Sequence, residues 1–346
     1  MRCFLAICVV LWSFGARAQT EAILDLGHLP PMKPSGLEAY RDRFLMGNLP
    51  RAWAIASDGS QGGQWGGKTI ETMREAALKS CADKGGTDCA IYAEDLDVVW
   101  RGRVPAARPS PAALIADRGY AFVPDARFFW RGARMARGVV VWGHGYNGAY
   151  DDSRGRQPPA FLRALNNAGF DVVRFDRDPS WDQDIGLVSG WLRAGLTELR
   201  RQGWRVVVAG GQSRGGWTSL EMLRTPGVVD AVVTTSAAAS GQDPGNQILR
   251  GETMMYSLLS DVPRQPTRVV YVQFKEDPYG GDEDKRARRM REMVGPNVGA
   301  LLLIDRPDGF KGHSGAVGPG FAEKFGACIA RFVMGASQSP PCDATP

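Results

Sequence analysis

The chain has 346 residues, 44% hydrophobic and 23% charged, enough for one large or two smaller domains with buried cores. Its formal charge of +5 falls to +3 once Arg2 and Arg17 are removed with a leader, too small an excess to argue for nucleic acid or a membrane surface as partner. The basic run 285–289 follows the acids Asp282, Glu283 and Asp284 and reads as a solvated helix face.

Residues 1–18 carry the order of a secretory signal: Arg2, an apolar run Cys3–Phe14, then Ala16-Arg17-Ala18. Cleavage is expected after Ala18, and the apolar run is too short to span a bilayer. No later segment is long and apolar enough to cross a membrane, so the mature chain is expected in the periplasm or secreted, with no membrane insertion. It keeps Cys81, Cys89, Cys328 and Cys342, an even number that suggests two disulfides in an oxidising compartment. Three pairings are open; Cys81 with Cys89 and Cys328 with Cys342 need the least chain rearrangement. A metal site is the weaker alternative, because no C-x-x-C occurs and no histidine lies near these cysteines.

Residues 19–51 are Pro-rich at first and read as irregular. Residues 52–103 form a small α+β pattern: a strand from Ala52 with a Gly-rich turn, a helix N-capped by Thr69, and a strand or hairpin after Cys89. About fifty residues make a marginal core, which a disulfide would supplement. This stretch is similar to a small secreted bacterial module with an Ala-rich helix and a K-G-G-x-D-C turn, and it holds no catalytic constellation.

Residues 104–117 read as a linker, 118–335 as a second domain and 336–346 as a tail. The domain opens with an expected hairpin, Tyr120–Val123 with Phe128–Trp130. Then come strands at 138–142, 171–175, 205–209, 231–235, 268–274 and 300–304, alternating with helices at 159–168, 184–202, 216–223, 282–294 and 320–334. Residues 237–266 read as an irregular insertion that could form a small lid. The strands are continuous apolar runs, as in a parallel sheet covered on both faces. The expected class is α/β, a doubly wound, mostly parallel sheet with a small N-terminal α+β module.

Two glycine motifs compete for the chemistry. Gly143-His144-Gly145-Tyr146-Asn147-Gly148 fits G-x-G-x-x-G after a strand and would suit a dinucleotide pyrophosphate. Ten or so polar residues and Pro158-Pro159 separate it from the next helix, and Asp176 lies 28 residues beyond Gly148 rather than about 20, so that reading is poor. Gly211-Gln212-Ser213-Arg214-Gly215 is G-x-S-x-G between an apolar strand and an amphipathic helix, the context of a nucleophile elbow. A serine needs a base, and of the three histidines only His313 follows Ser213, just after the last strand. Asp277, at the end of strand 268–274, is chosen as the acid that holds His313; Glu276 is the second choice.

On these features residues 118–335 resemble the α/β-hydrolase superfamily. The resemblance implies a Ser213–His313–Asp277 triad and an oxyanion hole from the N–H groups of Arg214 and Tyr146, with no cofactor or metal. Tyr150 and Trp181 are candidates to line an acyl or alcohol pocket, and are equally read as core or rim residues. Arg214 either pairs with a nearby acid or attracts an acidic substrate, the first being preferred. The expected function is a secreted serine hydrolase acting on a small-molecule carboxylic ester. A secreted peptidase of the same fold and a non-catalytic envelope binding protein are the alternatives.

Overall fold

A computed structural model describes residues 21–104, 111–146, 148, 152–239, 246–335 and 342; the leader 1–18 and Tyr150 lie outside them. The chain divides into two units, one formed by residues 1–109 with 126–129, the other by 110–125 with 130–346.

The first unit is more regular at its start than its composition suggests. Helix α1 covers Pro34–Ala39, and a wider turn of helix follows over Tyr40–Phe44. The Pro-rich stretch is expected to be irregular, but at the first helical position the fixed φ of Pro34 favours the helix and its missing N–H is no loss. The apolar residues of this segment, Ile23, Tyr40 and Phe44, are buried with Trp53 and Tyr92. Strands β1 (Arg51–Ile55), β2 (Gln61–Trp65), β3 (Ala90–Glu94) and β4 (Asp97–Val98) form an antiparallel sheet in the order β2-β1-β3-β4. The Gly-rich tract is thus strand β2 rather than a turn. A Cβ on Gly62 would overlap the backbone of helix α2 (Ile70–Ala82) at Ala77 and Cys81, so only glycine lets helix and strand pack this closely. Thr69 caps α2, its hydroxyl accepting from Thr72 N–H at 3.3 Å. Cys81 is bridged to Cys89, tying the end of α2 to the start of β3. Buried Arg51 donates to the carbonyls of Phe44 and Asp95, both at 2.7 Å, and ties the N-terminal helical segment to the β3–β4 turn.

The second unit holds an eight-stranded sheet. Its strands are β5 (Ile115–Ala116), β6 (Tyr120–Pro124), β7 (Gly138–Gly143), β8 (Phe170–Arg177), β9 (Val207–Gln212), β10 (Ala231–Thr235), β11 (Arg268–Gln273) and β12 (Ala300–Asp305). The order is β12-β11-β10-β9-β7-β8-β6-β5. Strands β7 to β12 are parallel, while β6 runs antiparallel to β8 and β5 antiparallel to β6. Its main helices are α3 (Leu162–Asn167), α4 (Ile185–Arg201), α5 (Arg214–Glu221), α6 (Asn246–Ser260), α7 (Glu283–Arg289) and α8 (Ala327–Met334), the last continuing from helical turns at Pro319–Phe321 and Ala322–Gly326. Val139, Val141, Val207, Val232 and Val269, from neighbouring strands, share one core with Leu192 and Leu196 of α4 and with Trp217 and Leu220 of α5. Cys328 is bridged to Cys342.

Three expectations are corrected. The hairpin partner of β6 is Ile115–Ala116, inside the stretch read as a linker, and not Phe128–Trp130. Residues 126–129 belong to the first unit, and Phe129 is buried in its aromatic core; an aromatic run is apolar enough to read as a strand but here serves as packing. The segment 237–266 is not irregular: it contains the fifteen-residue α6. Met255, Leu258 and Leu259 fall at helical spacing and are buried.

Candidate active site

Strand β7 leads through α3 to β8 on one side. The chain then crosses back over β7 to β9 and continues outward through β10, β11 and β12. The direction of winding therefore reverses at β7 and β9, and loops leaving their carboxyl ends diverge to open a crevice. Those loops carry His144–Tyr146 and Ser213.

Ser213 immediately follows β9 and precedes α5, with φ 55° and ψ −119°. An L-residue takes this left-handed conformation at a cost of roughly 1–3 kcal/mol, so the surroundings must impose it. They do so through glycines. A Cβ on Gly215 would overlap the Gly143 carbonyl, and one on Gly211 would overlap Gly215. The Ser213 N–H donates to Thr235 O at 3.1 Å, and its carbonyl accepts from Trp217 N–H at 2.9 Å. Arg214 is the first residue of α5, so its N–H belongs to the turn that lacks intrahelical acceptors.

His313 and Asp277 are brought together. Asp277 Oδ1 lies 2.9 Å from His313 Nδ1 and accepts from Tyr279 N–H at 2.9 Å. The carboxylate side chain is 4% exposed and the imidazole 18%. The Tyr279 ring meets the imidazole edge-on at 4.4 Å between centroids. With Nδ1 facing a carboxylate, the neutral ring carries its proton there and leaves Nε2 as the basic nitrogen. The loops bearing the pair are joined: Gly312 N–H donates to Lys275 O at 2.7 Å. Glu276 turns away and pairs with Lys311 at 3.0 Å on the surface. Gln212, the residue before Ser213, donates from Nε2 to His313 O at 3.1 Å, so strand β9 and the histidine loop are directly linked.

The loop after β7 lies against the elbow. A Cβ on Gly145 would stand 3.1 Å from Ser213 Cβ and 2.7 Å from Gln212 Oε1, so a side chain there would push on the elbow. His144 lies Nε2 to Arg156 O at 2.9 Å. Burial pushes its imidazole down to about 4, against the opposing effect of that bond, so near neutral pH the uncharged ring donates from Nε2. The Arg214 guanidinium lies 5.0 Å from the centre of the Tyr146 ring. Its Nη1 donates to the carbonyls of Asp182 and Gln183 at 3.0 and 3.3 Å. The side chain therefore bonds main-chain oxygens rather than a carboxylate, and burial holds its pKa below the usual arginine value, with Asp182 opposing. Trp181, in the loop between β8 and α4, is 45% exposed.

Sequence reasoning passed over Arg177, Asp182, Gln212 and Tyr279. Arg177, a charge closing the apolar strand β8, was the one local signal among these four, and it did not reveal its partners.

The strand order, the reversal at β7 and β9, and a serine held at positive φ between β9 and α5 decide the architecture. The second unit has the α/β-hydrolase fold. Among solved structures the chain is similar to Est1E from Butyrivibrio proteoclasticus, at 14% identity over 62% of this chain and 94% of that one, TM-score 0.45. An S-formylglutathione hydrolase from Agrobacterium tumefaciens matches at 14% identity over 62% and 88%, TM-score 0.42. An acylaminoacyl peptidase from Pyrococcus horikoshii matches at 13% over 62% and 39%, TM-score 0.43. Likeness at this level transfers neither activity nor substrate. No protein-family model and no curated protein matches the chain.

Proposed function

We propose that the α/β-hydrolase unit is a serine hydrolase that cleaves small carboxylic esters outside the cytoplasm. In this reading Ser213 Oγ attacks the ester carbonyl while His313 Nε2 takes its proton and Asp277 stabilises the imidazolium. The N–H groups of Arg214 and Tyr146 bind the oxyanion. The tetrahedral intermediate expels the alcohol, which receives the proton from His313. Water, deprotonated by the same histidine, then releases the acid from the acyl-enzyme.

One observation carries this reading: Asp277 holds His313 at 2.9 Å in a loop bonded to the residue preceding a strained serine. The compartment is supported by the signal-like leader and two disulfides, Cys81–Cys89 and Cys328–Cys342.

The test uses the protein secreted without its leader. A fluorophosphonate should label it covalently, and Ser213→Ala should abolish labelling and lower turnover of a short p-nitrophenyl ester at least about a thousandfold. Aminoacyl anilides run in parallel separate an esterase from a peptidase. An unlabelled wild-type protein would favour a binding function, and equal labelling of the Ser213→Ala variant would place the nucleophile elsewhere.

A further inference from the structure

We propose that Arg177, Asp182 and Arg214 are positioning residues that lock the oxyanion loop onto the nucleophile elbow. The proposal rests on the serine-hydrolase reading and adds parts to that same site.

Three loops meet here. Arg177, the last residue of β8, has a side chain 1% exposed, and Asp182 one 4% exposed. They form a two-pronged pair, Nε to Oδ1 at 2.8 Å and Nη2 to Oδ2 at 3.0 Å. The same Nη2 donates to the His144 carbonyl at 2.7 Å. The Asp182 carbonyl, and that of Gln183, accept from Arg214, whose guanidinium covers the Tyr146 ring. Asp182 thus reaches the oxyanion loop through Arg177 and the elbow through Arg214. The two residues expected to supply the oxyanion N–H groups are also in contact through their own side chains.

Peptide geometry turns these contacts into function. The 144–145 peptide is planar and trans, so drawing the His144 carbonyl toward Arg177 turns the Gly145 N–H the opposite way. That plane in turn restricts where the Tyr146 N–H points. An oxyanion donor works only when it is aimed at the developing charge before the reaction begins. A loop with glycines at 145 and 148 has little stiffness of its own and needs external restraint. Stability alone is a weak reason for such a pair, because a buried ion pair seldom exceeds the cost of its desolvation.

The test compares Arg177→Met, Arg177→Lys and Arg214→Met in the mature protein on a short p-nitrophenyl ester. Arg214→Met keeps the main-chain N–H and the Arg177–Asp182 pair, and so remains informative if Arg177→Met folds poorly. Turnover should fall about a hundredfold in both methionine variants, with KM within about twofold of wild type. Arg177→Lys should recover only part of the loss, since an ammonium lacks the two-pronged geometry. The inhibition constant of a phenylboronic acid, which forms a tetrahedral anion on the serine, should rise by the same factor as turnover falls, while Ser213 is still labelled by fluorophosphonate. Unchanged turnover and boronate affinity in folded variants would overturn the positioning role and leave the hydrolase reading standing. A rise in KM alone would make the arginines substrate contacts and overturn it too. A wild-type protein that neither labels nor turns over would overturn both.

Discussion

The two ends of the eight-stranded sheet use polar groups differently. At the amino end, carboxylates satisfy backbone N–H groups. Asp171, fully buried near the start of β8, accepts from the N–H groups of Arg131 and Gly132 at 2.9 and 2.7 Å. Asp230, just before β10, accepts from Val207 N–H and from Arg200, both at 2.7 Å. At the carboxyl end the chain is bent into unfavourable conformations. Ser213, Ser236 and Arg306, each directly after a strand, have φ of 55°, 48° and 52°, and Glu276, shortly after β11, has 60°. Three of these residues donate their N–H to the neighbouring strand, at Thr235, Val272 and Gln273, before the chain turns. Each residue held at positive φ costs roughly 1–3 kcal/mol. The lesson is that the amino end contributes stability, whereas the carboxyl end spends some of it to present particular groups at the point where the winding reverses.

The largest test of this contrast is Gly215→Ala. Helix propensity alone favours alanine by about 1 kcal/mol. The overlap with the Gly143 carbonyl, a backbone atom that cannot step aside, should reverse the sign. Denaturant unfolding should show a loss of about 3 kcal/mol, and fluorophosphonate labelling should disappear. A variant more stable than wild type would mean that β7 and α5 are not in close contact. Next in size is Asp171→Ala at the opposite end. Two part-buried N–H groups lose their acceptor and the buried Arg131 guanidinium loses the carboxylate 3.8 Å from it, so stability should fall by about 1–3 kcal/mol while ester turnover per folded molecule stays unchanged. Lost turnover at full folding would erase the distinction between the ends. The smallest effect concerns pH. The folded-state pKa of His144 is about 4, below the 6.5 of an ordinary histidine. Between those values the unfolded chain binds a proton that the folded chain excludes. This contribution is therefore complete above pH 6.5 and is lost as pH falls toward 4. His144→Gln, with unfolding followed at pH 7.5 and 5, should lose less stability on acidification than wild type; equal losses would show that His144 is not held neutral.

Local pattern carried the reading furthest where one residue's neighbours in sequence are also its neighbours in space. Thr69 could be named as a cap because its partner, the Thr72 N–H, lies three residues away. The run Ala231–Thr235 is a strand because four of its five residues, Val232 to Thr235, are β-branched, and it is bounded by breaks. The same logic misread Phe128–Trp130, whose apolarity fits a strand and aromatic packing equally well. It missed β2, because glycine depresses strand propensity and the reason for glycine lies in Ala77 and Cys81, on a helix formed later in the chain. At the candidate site, Ser213 stood out through its flanking glycines, while Arg177 and Asp182 did not, since nothing local marks a strand-end arginine as reaching a carbonyl 33 residues earlier.

From its residues alone the chain set the alternation of strand and helix, the bend at Ser213 and the small set of histidines and acids that could serve it. Hydrophobic periodicity and glycine sterics act over a few residues and are written into the order of the chain. Tertiary structure alone decided that Asp277 faces His313 while Glu276 turns to Lys311. It also decided that Arg214 is spent on the carbonyls of Asp182 and Gln183. Those choices depend on strand register and loop direction, which are fixed only when segments far apart in the chain pack against one another.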